Sequence, residues 1–314
     1  MTRLLWLFAA LLLATPASAQ TPPPVEQFNY NGRDFYAQPQ ISFEEWLSQL
    51  GEEALAKGIR LQTVTEALQN LSLDESVLEK DRTQPENTVT AQQYWDRLLS
   101  KSRISKGEDF FDDNKALLRK VGAAYGVRPR YIVALLGIES NYGDGQGRES
   151  IINSLATLAY DGRRADYFRG ELLNALRILD QNNMTSDQMK GSWAGAMGYC
   201  QFMPSSFLKF ARDFDGDGRI DIWTSVADAA ASAANYLHES GWHADEPWGE
   251  EVDVPDDLPS DVTGTKIQKS LAEWRELGIR RKSGQKLPAS LQASLIQPDG
   301  PEGRSFLVYN NFRV

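Results

Sequence analysis

The sequence predicts a mainly α (α+β) protein, helical from about residue 41 to about residue 245 and mixed α/β from there to residue 314. Three observations carry this. Apolar residues recur at spacings of three and four from Trp46 to Leu237, the period of helices with one buried face. Beyond Glu246 the composition turns to Pro, Asp and short β-like runs such as Ser305–Tyr309, the pattern of a small β-containing region. Between them, an apolar segment opened by Pro129 runs straight into the glycine-rich stretch Asn141–Gly147, which stops a helix and starts a loop.

At the N-terminus, Arg3, the apolar run Leu4–Ala14 and the small residues Ala17-Ser18-Ala19 form a secretory signal peptide over residues 1–19, too short to stay as a membrane helix. There is no cysteine at the cleavage point, so the expectation is an exported, unlipidated chain beginning at Gln20. No later apolar run approaches the ~18 residues of a spanning helix, and no transmembrane anchor is expected. Residues 20–40 read as a Pro-containing leader, with Thr21–Pro24 stiff and solvated.

Composition removes several function classes. A net charge of −10 lacks the basic footprint that nucleic acid needs. One cysteine, Cys200, excludes an intrachain disulfide, and as a small apolar side chain it is expected to be buried rather than reactive. Two histidines and one cysteine are poor material for a zinc site or a histidine-based triad.

Residues 41–118 read as a helical domain. Ser42 caps a helix with Glu45 three residues on, ahead of Trp46, Leu47 and Leu50. The run Ala54–Leu71 continues with Leu55, Ile59, Val64 and Leu68 at helical spacing, and Asp81–Glu86 breaks the pattern as a loop. Tyr94, Trp95, Leu98 and Leu99 begin another helix, and Phe110–Tyr125 forms one more, ended by Gly126. No chemistry is legible there from spacing.

Residues 119–245 hold the chemistry. On the helix opened by Pro129, Ile132, Leu135, Leu136 and Glu139 share one face. Glu139 therefore sits in the last turn, turned toward the core beside the glycine-rich loop. Burial disfavours a carboxylate and raises its pKa, which suits a general acid near neutrality. The plain alternative is a glutamate paired with an arginine or reaching solvent at the helix end. Further on, the adjacent Arg163 and Arg164 are either a solvated surface or a bidentate grip on a carboxylate. Met189–Ser206 spaces Gly191, Gly195 and Gly198 so that backbone can approach closely, and offers Gln201, Phe202 and Met203 as an amide beside apolar faces. Core packing explains that stretch equally well.

Asp213–Thr224 follows an EF-hand loop. Asp213, Asp215, Asp217 and Asp221 fill positions 1, 3, 5 and 9, Gly218 takes the turn at position 6, Arg219 position 7 and Ile220 the apolar position 8. Thr224 stands where a bidentate glutamate belongs, so a weak structural calcium site is expected, or simply a solvated acidic turn. Ser225 then caps a helix carrying Ala229, Ala233, Tyr236 and Leu237. Residues 246–314 form the mixed region, with a helix over Leu271–Leu277, a turn-rich connection over Arg280–Pro288 and a closing strand, FLVYNNFRV, that the chain leaves unfinished.

Taken together, GIESNYG at 137–143, GRRADYFRGEL at 162–172, KGSWAGAMGYCQFMPSS at 190–206, DFDGDGRIDIW at 213–223, ANYLHESGW at 234–242 and PDG with FLVYNNF at 298–312 resemble the lytic murein transglycosylase B family. The resemblance implies a lysozyme-like catalytic core flanked by helical and mixed smaller domains. It implies periplasmic cleavage of the β-1,4 bond between N-acetylmuramic acid and N-acetylglucosamine in peptidoglycan, leaving a 1,6-anhydromuramyl end, with no catalytic cofactor. It places the catalytic glutamate on Glu139 and substrate contacts on Ser192, Gln201, Phe202, Met203 and Tyr236, with Arg163 and Arg164 facing the acidic stem peptide. The EF-hand-like loop is also a feature of the family. Glycan strands are the expected partner, beside cell-wall synthesis proteins. Members generally continue past the final strand into a segment that helps line the cleft, so the C-terminal region reads as truncated. A water-using muramidase and a non-catalytic murein-binding scaffold are the alternatives.

Overall fold

The structure, a computed structural model, describes residues 28–30, 33–35, 41–83, 89–161, 164–282 and 291–314. The segment 1–19 expected to be a signal peptide, most of the leader and Arg163 lie outside the described residues. A short antiparallel hairpin comes first, β1 (Phe28–Tyr30) with β2 (Arg33–Phe35). Seven helices follow: α1 (Phe43–Ala56), α2 (Leu61–Leu68), α3 (Glu75–Arg82), α4 (Ala91–Leu98), α5 (Lys101–Asp113), α6 (Lys115–Tyr125) and α7 (Pro129–Ser140). Their starts are chemically marked. Ser42, Asp74, Thr90 and Ser100 each accept a backbone N–H of the first turn of α1, α3, α4 and α5, satisfying donors that a helix cannot pair internally.

Three boundaries differ from the sequence reading. The run Ala54–Leu71 is not continuous. Gly58, at φ 83°, turns the chain between α1 and α2, which leaves Leu55 exposed and tucks Ile59 into the core. Phe110–Tyr125 likewise divides at Asn114, whose side-chain amide donates to the Phe110 carbonyl (2.9 Å) and closes α5 before α6 begins. Asp81 and Arg82 are not loop residues but the last turn of α3. Asp81 is buried there against Arg164 (2.6 Å), a long-range ion pair that local spacing cannot reveal.

β3 (Glu149–Ser150) leads into α8 (Ile151–Tyr160), and α9 (Ala165–Asn182) returns along it. β4 (Lys190–Gly191) pairs with β3, followed by α10 (Pro204–Phe210) and α11 (Val226–Glu239). Five alanines of α11, Ala229, Ala230, Ala231, Ala233 and Ala234, are fully buried. Their small size lets α6 and α7 pack close on that face. A single apolar core runs from Phe43 to Leu237, shared by the helices on both sides of residue 118.

The remaining elements are β5 (Gly249–Asp253), β6 (Lys269–Ser270), α12 (Leu271–Glu276), β7 (Arg280–Arg281), β8 (Gln292–Ile296) and β9 (Ser305–Val308). They build an antiparallel sheet in the order β6-β8-β9-β5-β7. This region has its own core around Trp274, whose indole N–H donates to the Ala293 carbonyl (2.9 Å). A smaller cluster of Ile296, Phe306 and Val308 packs on Trp95 of α4 and joins the sheet to the helical part. The strand read through the chain end stops at Val308. A 3-10 turn, Asn310–Phe312, replaces it, because the Asn311 amide donates to the carbonyls of His243 and Glu246 (2.8 Å each) and draws the chain out of the sheet.

Candidate active site

The site begins with the way α7 ends. Asn141, Tyr142 and Gly143 all take positive φ, at 51°, 59° and 95°, and Gly145 N donates back to the Ser140 carbonyl (2.7 Å). A tyrosine in this region is strained. The turn folds the Tyr142 ring over Gly137, where a Cβ would meet the ring carbon Cζ at 2.5 Å, and against Phe110. Three successive left-handed residues stop the helix directly after Glu139 and Ser140, so the Glu139 side chain stands at a helix end closed by a rigid loop.

Glu139 is in part exposed, yet its Oε1 is sealed from solvent without a hydrogen-bond partner among the described residues. Burial alone pushes its pKa from 4.5 up to about 7. An unpaired buried carboxylate oxygen costs free energy, and protonation relieves it. No neighbouring acid contributes to the shift. The nearest one in sequence, Asp144, is engaged by the Lys106 ammonium.

Three groups lie within electrostatic reach of Glu139. Burial, and after it the Glu139 charge, raises the pKa of the Tyr94 and Tyr236 phenols and of the Cys200 thiol. Tyr236, on α11, packs against Phe202 (5.8 Å between rings) and Phe210 (5.1 Å). Tyr94 comes from α4, and the sequence reading passed over it. The signal available was its place beside Trp95 on a short amphipathic helix, which names no target. Cys200 is buried as expected, with its thiol directed at the Ala229 carbonyl (3.2 Å).

Residues 191–203 form a tight double bend, Gly191 bridging Met197 and Met197 bridging Phe202. Ser192 Oγ accepts the Ala196 N–H (3.0 Å), which leaves its hydroxyl proton without an acceptor among the described residues. Gln201, at φ 48°, donates its amide N–H groups to the carbonyls of Gln146 (3.1 Å) and Gly198 (2.9 Å). That grip fixes the amide plane, and the amide oxygen keeps its acceptor capacity. Phe202 and Met203 are largely buried, Met203 against Gly195, so they are walls more than open surfaces. The fold thus joins Glu139, Tyr236, Phe202 and Tyr94, with Gln201 and Ser192 on the adjoining bend. The Arg164 guanidinium pairs with the buried Asp81 and stacks over Phe168 (4.7 Å), an internal ion pair that the sequence reading did not foresee.

In the acidic loop, carboxylate oxygens of Asp213, Asp215 and Asp217 lie within 4.8 Å of one another. Asp221 does not join them. Its carboxylate accepts the backbone N–H groups of Trp223 (2.9 Å) and Thr224 (2.8 Å) and the Thr224 hydroxyl. Thr224 is therefore spent on Asp221, and the Arg219 N–H is held by Asp217 (2.8 Å). Asp228, in the first turn of the helix that Ser225 caps, ties the loop together by accepting from Phe214 N and Asp221 N (2.8 Å each).

Comparison with known proteins gives this arrangement its context. The family model described as the transglycosylase SLT domain matches residues 42–314. Membrane-bound lytic murein transglycosylase B of Escherichia coli is 33% identical over 258 residues, covering 81% of this chain and 68% of that protein. The crystal structure of SltB3 from Pseudomonas aeruginosa in complex with NAG-anhNAM-pentapeptide superposes with a TM-score of 0.83 at 43% identity, covering 87% of this chain and 73% of that one. Escherichia coli SLT35 in complex with calcium superposes with a TM-score of 0.71 at 31% identity, over 85% of this chain and 84% of that one. The chain belongs to the transglycosylase SLT domain family, with the fold of its lysozyme-like members and the enzyme class of the lytic murein transglycosylases.

Proposed function

We propose that Glu139 alone serves this lytic transglycosylase as both acid and base. The observation that carries the reading is the sealed, unpartnered Glu139 Oε1 with a pKa raised to about 7 and no second acid acting on it. Protonated Glu139 donates to the glycosidic oxygen, and the bond from the muramyl anomeric carbon to that oxygen breaks. The muramyl C6 hydroxyl attacks the same carbon and gives its proton to the Glu139 carboxylate, which restores the acid. No water is consumed, so the second carboxylate of ordinary glycoside hydrolysis has no task. An intramolecular nucleophile also carries a proximity advantage. The Tyr236–Phe202 cluster and Tyr94 flank the sugar, and Gln201 and Ser192 offer an acceptor and a donor to its polar groups. Glycan strands bearing peptides fit this reading, since SltB3 has been solved with NAG-anhNAM-pentapeptide and with NAG-NAM-pentapeptide.

The chemistry needs no cofactor. A calcium ion in the 213–224 loop has a structural role in this proposal. Three clustered carboxylates are the hard oxygen donors calcium takes, and the related SLT35 was crystallised with calcium. The proposal keeps a helical region over 41–118, a catalytic core over 119–245 and a mixed region over 246–314, the last supported by its own apolar cluster. It also keeps export to the periplasm through residues 1–19. No helix among the described residues is long and apolar enough to cross a membrane. The test is mass spectrometry of muropeptides released from purified sacculi by the wild-type chain and by Glu139→Gln. Products lighter by one water than hydrolysis products, absent with the variant, are expected. Hydrated reducing ends would refute the mechanism.

A further inference from the structure

The loop that closes the Glu139 helix also forms one wall of an open pocket. It has a volume of about 610 Å3 and is lined by residues 143–148, Lys190 and Trp223. Its electrostatics run against the rest of a chain with net charge −10. Arg148 and Lys190 both line it, and neither has an ion-pair partner among the described residues. The acids that would neutralise them are committed elsewhere. Asp144 is held by Lys106, and Glu149, next to Arg148, pairs with Lys80 (3.3 Å). Two cations left unpaired in a concave site invite an anion.

The pocket is also built rigidly and joined to the catalytic bend. Lys190 is fixed by pairing with Ser150 across β3 and β4, and its carbonyl accepts the Trp223 indole N–H (2.8 Å). The Gln146 amide donates to the Trp223 carbonyl (2.9 Å), and the Gln146 carbonyl accepts from Gln201 (3.1 Å). One wall therefore begins four residues after Glu139, another runs two residues into Ser192, and Gln146 shares a hydrogen bond with Gln201. With its N–H already used, Trp223 has only its apolar ring to offer a ligand.

We propose that Arg148 and Lys190, beside the Trp223 ring, form a carboxylate subsite that holds the acidic peptide stems of the glycan substrate. The inference rests on the transglycosylase reading above and names which part of the substrate this flank of the site takes. A guanidinium matches a carboxylate in a two-point grip, and the lysine adds a mobile point charge. Such a subsite acts on binding and leaves the bond-breaking step alone, so its loss belongs in KM.

The test measures release of anhydromuramyl products from peptide-bearing glycan strands and from strands stripped of peptides by an amidase. The enzymes are the wild type, Arg148→Gln/Lys190→Gln and the charge-conserving Arg148→Lys/Lys190→Arg. The neutral double variant is expected to raise KM roughly tenfold on peptide-bearing strands with kcat unchanged. It should match the wild type on stripped strands, and the charge-conserving variant should recover most of the loss. An equal loss on both substrates, or none on peptide-bearing strands, overturns the subsite. Amide chemical shifts with an isolated stem pentapeptide decide it separately from turnover. Shifts confined to residues 143–148 and the Trp223 indole, lost in the neutral variant, support it. Absence of those shifts in the wild type refutes it. Failure of the wild type to release any anhydro product instead counts against the catalytic reading.

Discussion

Glu139 gains its chemistry from what it lacks. Its Oε1 has neither solvent nor a hydrogen-bond donor among the described residues, so the proton is held to about pH 7. In the proposed mechanism the acid form starts the reaction, and kcat/KM is therefore expected to fall about tenfold per pH unit above pH 7, read from initial rates on soluble glycan strands. Glu139→Gln removes proton transfer and should lower kcat by roughly 10²–10⁴-fold. The same residue costs stability. The folded pKa lies above the unfolded value of 4.5, so the folded state binds the proton more tightly. Its contribution is fully present below pH 4.5 and is lost as pH rises to about 7. The loss is on the order of 3 kcal/mol. Glu139→Gln, which never ionises, should then be more stable than the wild type at pH 8 and nearly equal at pH 4, as denaturant titrations at the two pH values would read.

Among the elements, α4 shows how distant sequence reaches the site. Thr90 caps it locally in a reciprocal capping box with Gln93. Asp299, more than two hundred residues away, adds its carboxylate to the N–H groups of Ala91 (2.6 Å) and Gln92 (2.9 Å). A negative charge at a helix start stabilises it, and this helix carries Tyr94 toward Glu139. Asp299→Ala should cost about 1 kcal/mol of stability and lower kcat/KM, while Asp299→Asn should recover part of both, checked by thermal melting and kinetics on one preparation. The 213–224 loop makes a parallel case. Calcium should raise the melting temperature by several degrees and a chelator reverse it, because a ligand of the folded state stabilises by mass action. Asp213→Asn should abolish the shift. Helix boundaries were readable where a cap or a Pro marks them, as at Ser42 and Pro129. They were misread where a break depends on one backbone conformation, as at Gly58, or on a remote partner, as with Asp81 and Arg164.

Across the molecule, the face that carries Glu139 depends on two cores. The larger supplies α7 and α11, and so Glu139 and Tyr236. The smaller holds the sheet whose Phe306 packs edge-on against Trp95 (5.5 Å) beside Tyr94. Arg304 completes that joint by stacking on Trp95 (4.8 Å) while its guanidinium grips Glu251 (2.7 Å). Trp274→Ala, which empties the centre of the smaller core, should destabilise by about 3–5 kcal/mol. If the sheet steadies α4 as the packing indicates, activity will fall before the far-ultraviolet helix signal does when the variant is heated. Simultaneous loss of both would show that the two cores unfold as one.

Local chemistry made much of this protein legible in its residues. A proline opening an apolar helix, a carboxylate on its buried face and a cluster of turn formers behind it place Glu139 at a closed helix end, because helical period and cap preferences act over a few residues. The mainly helical class and the β-rich end follow from the same short-range rules. Folding in three dimensions settled which partners meet. It brought Tyr94 within electrostatic reach of Glu139, turned Arg164 onto Asp81, and took Asp221 and Thr224 out of the acidic cluster. The burial that raises Glu139 toward neutrality belongs to the same class. These outcomes depend on groups brought together from far along the chain, and desolvation and ion pairing are set by the atoms within a few ångströms, whatever their separation in sequence.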